Sequence, residues 1–212
     1  MYAQLNDLRD EYQRLFSLSP WVFAIAIGAC ALFVAYSVNY QAGQFATERA
    51  GAPLADVILD SFPRVPTDFL HESGSQPLIG LALVLVFFLP RLMPAMLIGV
   101  ASIVFVRSVF INMTQLGLYF DAVRIDGSYV TFGGDLFFSG HVAIPVMLGL
   151  IFWEYTIVRY LFFTAGIILG TSALLGHYHY SIDVFAAPFI AHGVYTVLRN
   201  AFPAIMRGFH VQ

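Results

Sequence analysis

The sequence carries one pair of side chains at a spacing that suits a histidine base or nucleophile. His179 and Asp183 are four residues apart, which on a helix places both side chains on one face. A carboxylate beside an imidazole fixes its tautomer and raises its basicity, as a histidine that acts as base or nucleophile requires. The same spacing is also compatible with a purely structural pair.

A second segment, Ser139-Gly140-His141, has the composition of an anion site. Ser139 is a candidate N-cap, and the helix that follows would present free backbone N–H groups to a phosphate. Arg107 would add a guanidinium that can hold two phosphate oxygens at once. The structural alternatives are a capped turn at Ser139-Gly140 and an arginine that only bridges helices.

The composition predicts that membrane-spanning helices position these residues. Of the 212 residues, 59% are hydrophobic and 11% are charged, whereas a soluble domain has roughly 25% charged residues. The apolar runs predict an all-α membrane protein with six transmembrane helices. The predicted spans are residues 20–38, 67–89, 93–114, 139–153, 157–176 and 181–198. An amphipathic segment (1–19) precedes this six-span catalytic membrane domain (20–199), and a short cytoplasmic tail (200–212) follows it.

The arginines predict the orientation of the chain, because basic residues favour the cytoplasmic ends of spans. With both termini cytoplasmic, six arginines lie on the cytoplasmic side: Arg9, Arg14, Arg91, Arg159, Arg199 and Arg207. Three lie on the opposite side: Arg49, Arg64 and Arg124. The acidic residues predicted on that opposite side are Glu48, Asp56, Asp60, Asp68, Glu72, Asp121, Asp126, Asp135 and Asp183.

The same topology brings four polar residues to one depth. Arg107, His141, His179 and Asp183 all fall at the outer ends of their spans, so the site is predicted to face the non-cytoplasmic leaflet. The other histidines are interpreted as lying elsewhere. His177 would face away from His179 on a regular helix, His192 would be a packed core residue, and His71 and His210 would be surface residues.

The sequence predicts neither a bound metal ion nor nucleic-acid binding. Three histidines or carboxylates could hold a metal ion, but an adjacent arginine would repel the cation, so neither a metal nor a cofactor is expected. A net charge of −3 gives no signal of nucleic-acid binding. The single cysteine, Cys30, excludes a disulfide framework within the chain.

The two polar segments resemble the signature motifs of sphingomyelin synthases, within the type 2 phosphatidic acid phosphatase superfamily. The segments are GDLFFSGH at 134–141 and HYSIDV at 179–184. APLAD at 52–56 is similar to that family's Pro-rich motif, and residues 107–116 are similar to its arginine motif. The resemblance implies a phosphatidic acid phosphatase type 2-like helical bundle.

The chain also departs from these relatives. Gly133 stands where the family usually has Cys, and Val142 stands where it has Thr. The wider phosphatase family uses a lysine and a Ser-Arg pair to hold a phosphate dianion. Here all ten basic residues are arginine and the pair is Ser172-Ala173, so the lysine-bearing motif is absent from this sequence.

The resemblance implies a role for each catalytic residue. His179 would attack phosphorus to form a phosphohistidine, and Asp183 would orient His179. His141 would protonate the departing lipid oxygen and then deprotonate the acceptor hydroxyl. The predicted catalytic residues are therefore His141, His179 and Asp183.

Five further residues are predicted to bind substrate or phosphate. Arg107 and the N–H groups at Gly140 and His141 would stabilise the developing negative charge. Ser139 belongs to the same anion site, and Asp135 would assist a histidine or face a cationic head group. Tyr180 would offer a cation–π contact if its ring faced the pocket, and Tyr178 and Phe137 are alternatives for the same contact.

These features predict a membrane lipid phosphotransferase. It would move phosphocholine or phosphoethanolamine from a glycerophospholipid donor to a lipid alcohol acceptor such as ceramide, releasing diacylglycerol. Two alternatives stay open: a lipid phosphatase or phospholipase C that uses water, and a non-catalytic lipid-binding or transport protein. The expected partners are membrane lipids, with a homo-oligomer left open.

Overall fold

The computed structural model describes residues 2–122 and 134–209, and within them it is helical without β-strands. Arg124, Asp126, Gly133 and His210 lie outside these described residues. The α-helices in chain order are α1 (Tyr2–Ser17), α2 (Ser19–Glu48), α3 (Asp68–Ser73), α4 (Gln76–Phe88), α5 (Met93–Thr114), α6 (Gly140–Ile151), α7 (Thr156–Leu175), α8 (Ser181–Ala201) and α9 (Pro203–Met206). Short 3-10 turns form at Leu59–Ser61 and Pro90–Leu92.

Five helical segments have the length and apolar composition of membrane spans. They are Ser19–Glu48, Asp68–Phe88, Pro90–Thr114, Thr156–Leu175 and Ser181–Ala201. An all-helical, multi-pass membrane protein is therefore supported. The fourth predicted span, residues 139–153, is represented only by α6, which has 12 residues. At 1.5 Å per residue such a helix is about 18 Å long, whereas the hydrocarbon core is about 30 Å thick.

The fourth span is short because the segment before α6 folds into the protein instead of extending the helix. Leu136, Phe138 and Ser139 are non-helical and buried. Phe138 joins the main hydrophobic core with Met147 and Phe162. Irregular backbone at membrane depth is tolerated where protein surrounds it, so this arrangement is physically consistent.

The first span is longer than the sequence predicts. The helix does not end near residue 38 but continues as α2 to Glu48. The added residues are partly polar, which is why they were interpreted as a loop. Their polar and small side chains have partners in the bundle: Asn39 accepts hydrogen bonds from Arg107 and Ser108, and Ala42 and Ala46 are buried.

The second predicted span begins close to residue 67 but is interrupted. It consists of α3 and α4, with Gly74 and Ser75 between them. A Cβ on Gly74 would lie 2.3 Å from the Leu70 carbonyl oxygen and 2.8 Å from a methyl group of Leu169, so this break is packed closely against α7.

The predicted amphipathic segment is mostly occupied by α1. Leu15 is fully buried, and the Tyr12 hydroxyl donates a hydrogen bond to the carbonyl of Phe87, at the end of α4.

The longest helix, α2, packs closely along α5, and glycine makes this approach possible. A Cβ on Gly28 of α2 would lie 2.8 Å from the Cβ of Leu97 in α5. Because that atom belongs to the rigid base of the leucine side chain, it cannot move aside without moving the helix. Small residues serve this purpose widely in membrane helix interfaces.

We predict that Gly28→Val separates α2 from α5 and lowers the free energy of unfolding by about 1–3 kcal/mol, the usual cost of overpacking. Thermal unfolding of the purified protein in detergent measures the effect. The matched control is Gly80→Val in α4, where a Cβ meets nothing within 4 Å. Equal melting temperatures for the two variants would contradict the packing described here.

Candidate active site

Three histidines meet at one end of the bundle. His71, His141 and His179 each have a ring nitrogen within 4.8 Å of the others, and they are called the histidine cluster below. The ring centroids of His71 and His141 are 4.3 Å apart, and those of His71 and His179 are 6.1 Å apart. The three residues come from α3, the first turn of α6 and the residue before the N-cap of α8. The structure thus brings together His141 and His179, which are 38 positions apart in sequence.

Asp183 holds His179 by one ring nitrogen. The Nδ1 atom of His179 lies 3.3 Å from Oδ2 of Asp183, whose side chain is fully buried. The same oxygen accepts a hydrogen bond from the Tyr180 backbone N–H at 2.9 Å. Because α8 begins at Ser181, His179 lies before the helix, and the pair does not arise from one helical face as the spacing suggested. Asp183 instead occupies the first turn of α8, where a carboxylate is favoured by the helix dipole.

The two motif segments are joined by a backbone hydrogen bond. The Ser139 N–H donates to the Asp183 carbonyl oxygen at 3.0 Å. This bond connects the start of α6, which carries His141, to the first turn of α8. The relative position of His141 and His179 is therefore fixed by main-chain contacts as well as by packing.

His71 is a member of the site that the sequence analysis missed. It was interpreted as a surface residue, but it is only 3% exposed, and its ring stacks on Tyr178 with centroids 4.1 Å apart. The surface interpretation was wrong because His71 is packed against Tyr178 and His141, which are distant in sequence. A usable signal was present: the predicted topology puts the start of the second span at the same depth as His141 and His179.

Arg107 anchors the loop that leads into α6. Its Nε donates to the Phe138 carbonyl at 2.8 Å, and Nη2 donates to the Asp135 carbonyl at 3.0 Å. Nη1 forms an ion pair with the Asp135 carboxylate at 2.5 Å and contacts Asn39 at 3.3 Å. Most of the guanidinium donors are thus used inside the protein. A direct grip on a phosphate would require the Asp135 carboxylate to give way.

Ser139 and Gly140 lie at the start of α6, as the predicted anion site requires, but the expected N-cap hydrogen bond is not formed. Ser139 precedes α6, yet its side chain makes no capping hydrogen bond. Its hydroxyl is buried and has no partner among the described residues. Likewise, the N–H groups of Gly140 and His141 donate to no acceptor in the described part of the chain. Gly140 also admits Arg107, whose Nε would lie 3.5 Å from a Cβ at that position.

Tyr180 stabilises the loops, and Tyr178 provides the aromatic face beside the cluster. The Tyr180 hydroxyl donates to the Gly117 carbonyl at 2.8 Å and accepts from the Leu54 N–H at 3.0 Å. Its ring packs with Leu59 and Leu136 in a separate apolar cluster. Tyr178 borders the histidine cluster, but its ring stacks on His71 and already has the Arg64 guanidinium 5.9 Å from its centroid.

The segment that resembles a Pro-rich motif packs against the second motif. Asp56 accepts a hydrogen bond from the Ser181 N–H at 2.7 Å through Oδ2. Its Oδ1 accepts from the N–H groups of Ile58 and Leu59 at 3.0 and 3.2 Å. Burial raises the pKa of Asp56, but these backbone donors outweigh burial and hold the pKa below its ordinary value. An ionised carboxylate thus supports the start of α8.

A polar network covers the cluster beside Tyr178. Arg64 forms an ion pair with Asp68 at 2.8 Å and donates to the Gly176 carbonyl at 3.2 Å. The Tyr178 hydroxyl donates to the same Asp68 carboxylate. Burial and this hydrogen bond raise the pKa of Tyr178 to about 12, so the phenol remains protonated at physiological pH.

His177 lies outside the histidine cluster, although the reason differs from the one given above. Residues 176–180 are not helical, and His177 adopts a positive φ of 55°. Its Nδ1 lies 2.5 Å from an oxygen of Asp121, and its ring packs against Phe62 and Tyr119. His192 also differs from the prediction of a packed core residue, because it is exposed and lines a cavity at the other end of the bundle.

The histidine cluster has a donor set that could hold a metal ion. Three imidazoles are the protein ligands of some catalytic zinc sites, in which each nitrogen lies about 2.0–2.1 Å from the metal. The expected repulsion by Arg107 is weakened because its charge is paired with Asp135. The geometry therefore keeps the metal alternative open.

One family model matches the chain. Residues 133–201 match the model described as PAP2 superfamily C-terminal, which covers about a third of the chain and contains both motif segments. No curated protein matches the chain. The match supports the type 2 phosphatidic acid phosphatase superfamily, and with it the general class of membrane enzymes that act on lipid phosphates as phosphatases or phosphotransferases.

We predict that Asp56→Asn lowers the melting temperature at pH 7, because an amide replaces the carboxylate that accepts three backbone N–H groups. The folded pKa of Asp56 is depressed, so its contribution is present above the unfolded value of about 3.9 and is lost as pH falls through the folded pKa. The difference between wild type and variant should therefore shrink as the pH approaches 3.

Thermal unfolding in detergent at a series of pH values measures this difference. Asp10→Asn, at an exposed site in α1, is the matched control and should unfold like wild type at each pH. A difference between wild type and Asp56→Asn that stays constant down to pH 3 would contradict the assignment of the effect to the carboxylate.

Proposed function

We propose that the chain is a membrane lipid phosphotransferase that transfers a phospho-head group through a phosphohistidine at His179, as its motifs resemble those of sphingomyelin synthases. The observation that carries the proposal is the buried Asp183 beside Nδ1 of His179, with His141 in the same cluster. This arrangement leaves Nε2 of His179 as the nucleophilic nitrogen. In many enzymes with a covalent intermediate, a carboxylate orients either the nucleophile or the base that activates it.

The reaction would proceed in two balanced steps. Nε2 of His179 attacks phosphorus, the bond from phosphorus to the glycerol oxygen breaks, and His141 gives its proton to that oxygen to release diacylglycerol. His141 then takes the proton of the acceptor hydroxyl, whose oxygen attacks phosphorus as the phosphorus–nitrogen bond breaks. Asp183 stabilises the positive charge on the His179 ring during the first step.

Negative charge that develops on the phosphoryl oxygens would be stabilised at the start of α6. The unbonded N–H groups of Gly140 and His141 and the unpartnered Ser139 hydroxyl are the donors available there. Such preorganised donors usually supply the largest catalytic contribution. In this proposal Arg107 is a positioning residue, because it holds the loop that presents these donors.

The charges near the cluster favour a phosphodiester over a phosphomonoester. Arg107 is balanced by Asp135, and Asp183 adds a second carboxylate, so these three fixed charges sum to −1, or to 0 with the proton that His141 donates in the first step. A phosphomonoester carries nearly two negative charges at pH 7, whereas a phosphodiester carries one. A choline or ethanolamine head group would add a cation that the carboxylates near the cluster would attract.

The remaining parts of the proposal concern membrane placement. Both termini would be cytoplasmic, and the histidine cluster would face the non-cytoplasmic leaflet, where a phospholipid donor and a lipid alcohol acceptor would enter. The arginine distribution supports this orientation.

A second candidate is hydrolysis assisted by a metal ion. The observation that favours it is the approach of three imidazole nitrogens to within 4.8 Å of one another. A metal held there would activate water, and the enzyme would then act as a hydrolase. The two candidates differ in their products and in their response to chelators.

We predict that the purified protein, supplied with labelled phosphatidylcholine or phosphatidylethanolamine, makes a new phospholipid only when ceramide is added. Diacylglycerol should then appear in equal molar amount, because each transfer releases one molecule. Mass spectrometry of the extracted lipids measures both products. Diacylglycerol with water-soluble phosphocholine or phosphoethanolamine, and without a new phospholipid, would contradict the transferase and support a hydrolase.

We predict that His179→Asn lowers turnover by at least about 10³-fold, because it removes the nucleophile. His177→Asn is the matched control: it lies two residues away and also pairs with an aspartate, but its ring is outside the cluster. Asparagine tolerates the positive φ at that position, so the control should fold and retain activity.

Chelation separates the two candidate mechanisms in the same assay. Under the phosphohistidine proposal, wild-type activity persists after dialysis against EDTA, and elemental analysis finds no stoichiometric zinc. Activity that is lost with EDTA and restored by zinc would contradict this proposal and support the metal-assisted candidate. Full activity in His179→Asn would contradict both.

A further inference from the structure

The end of the bundle opposite the histidine cluster contains a cavity of about 460 Å³. Its charged and polar lining residues include Arg91, Arg199, Arg207, Glu154, His192 and Tyr195. They come from the turn before α5, the turn between α6 and α7, the second half of α8, and the turn after α9. The volume lies within the range of about 300–1,000 Å³ that is usual for ligand sites.

The cavity is distinct from the candidate active site. Asp183 and Arg199 lie near opposite ends of α8, and their separation along the helix is about 24 Å at 1.5 Å per residue. Neither His141 nor His179 lines the cavity. A ligand bound here would therefore not contact the proposed reacting groups.

The charge of this cavity is unbalanced. Its lining contains three guanidinium groups and one carboxylate, that of Glu154. Arg91 is held by a hydrogen bond from Nη2 to the Tyr155 hydroxyl at 2.7 Å. In contrast, the side chains of Arg199 and Arg207 make no hydrogen bond or ion pair within the described part of the chain. Two unpaired guanidinium groups at one cavity repel each other, and an anion between them would relieve this repulsion.

We propose that this cavity binds the phosphate-bearing head group of an anionic membrane lipid. Each guanidinium group can donate two hydrogen bonds to a phosphate. Several phosphate oxygens can therefore be bound where several arginines line one cavity. The site lies where spans end, so a lipid could supply its head group while its acyl chains remain between the helices and the bilayer. Basic pockets between helices on the cytoplasmic side bind such head groups in other membrane proteins.

The lining agrees with an interfacial position. Tyr195, Tyr155 and Trp153 also line the cavity, and tyrosine and tryptophan favour the boundary between hydrocarbon and water. The arginine bias predicts that this end is cytoplasmic, where anionic lipids are abundant. The proposal concerns binding alone and does not depend on the transfer reaction.

Ligand binding to the full-length protein in detergent tests the proposal. The probes are dihexanoyl phosphatidylglycerol, dihexanoyl phosphatidylcholine and inorganic phosphate, and the readouts are the Kd and the rise in melting temperature. Wild type should bind the anionic lipid at least about tenfold more tightly than the zwitterionic lipid. The double variant Arg199→Gln/Arg207→Gln should lose at least about tenfold in affinity for the anionic lipid.

Two further variants keep the result interpretable. Arg9→Gln/Arg14→Gln changes the net charge by the same amount at exposed positions of α1 and should bind the anionic lipid like wild type. Arg199→Lys/Arg207→Lys keeps the charge and should lose less affinity than the glutamine pair. A melting curve without ligand shows whether each variant is folded.

Three results would overturn the proposal. If Arg9→Gln/Arg14→Gln lost as much affinity for the anionic lipid as Arg199→Gln/Arg207→Gln, the lipid would be attracted by the overall surface charge and not by this cavity. Equal affinity for phosphatidylcholine that falls by the same factor in Arg199→Gln/Arg207→Gln would exclude selection of anionic head groups at this cavity. Inorganic phosphate that binds as tightly as the lipid would show that the source is a soluble anion and not a membrane lipid.

Discussion

The buried carboxylate of Asp183 is the point on which the arrangement of the site depends. A buried charge is tolerated only where hydrogen bonds or opposite charges replace water. Here the Tyr180 N–H and the start of α8 compensate Oδ2, whereas Oδ1 has no partner within the described residues. The same group faces Nδ1 of His179, and the Asp183 carbonyl accepts the Ser139 N–H. One residue thus sets the orientation of a histidine and connects the starts of α6 and α8. A change that unfolded the first turn of α8 would disturb both motif segments together.

A second constraint, the Arg107–Asp135 pair, explains why the loop before α6 keeps its shape. An arginine inside an apolar helix is costly unless its donors are satisfied, and Arg107 reaches two carbonyls, a carboxylate and an amide. These contacts attach the loop to both α5 and α2. The loop then replaces the helical length that α6 lacks, and it leaves the Gly140 and His141 N–H groups without acceptors within the described chain. The short sixth helix and the candidate anion site are therefore two results of one local structure.

The sequence predicts the membrane helices and most residues of the candidate site, but less of the geometry that joins them. Hydropathy located α5, α7 and α8 closely, because long apolar helices that face lipid have an unmistakable composition. It placed the end of the first span too early, because a window average does not distinguish a polar residue exposed to water from Asn39, which is satisfied inside the bundle. The topology argument brought His141 and His179 to one depth, and the structure agrees.

The errors at the site have a common physical origin. The spacing of His179 and Asp183 was interpreted as a helical face, but the contact forms across the start of α8. His71 was missed because its burial depends on Tyr178 and His141, which are distant in sequence. Similarly, Arg107 was expected to be free for phosphate, and its partner Asp135 comes from a loop that no periodicity describes. In each case the residue type indicated chemistry, but tertiary contacts decided which partner it found.

The contacts of Arg107 show why arginine, and not lysine, suits this position in a chain that contains no lysine. Arginine offers five N–H donors in a rigid plane, whereas lysine concentrates its charge on one strongly hydrated ammonium. Arg107 uses the breadth of the guanidinium to connect two helices and a loop, and a lysine at that position could not reach the same set of acceptors. Once that guanidinium is committed to Asp135, it no longer supplies the excess of positive charge that a phosphate dianion requires. In the proposed reaction, the residue that stabilises the loop of the candidate site would therefore also limit the charge of the substrate, and this coupling is the physical reason for proposing a phosphodiester instead of a phosphomonoester.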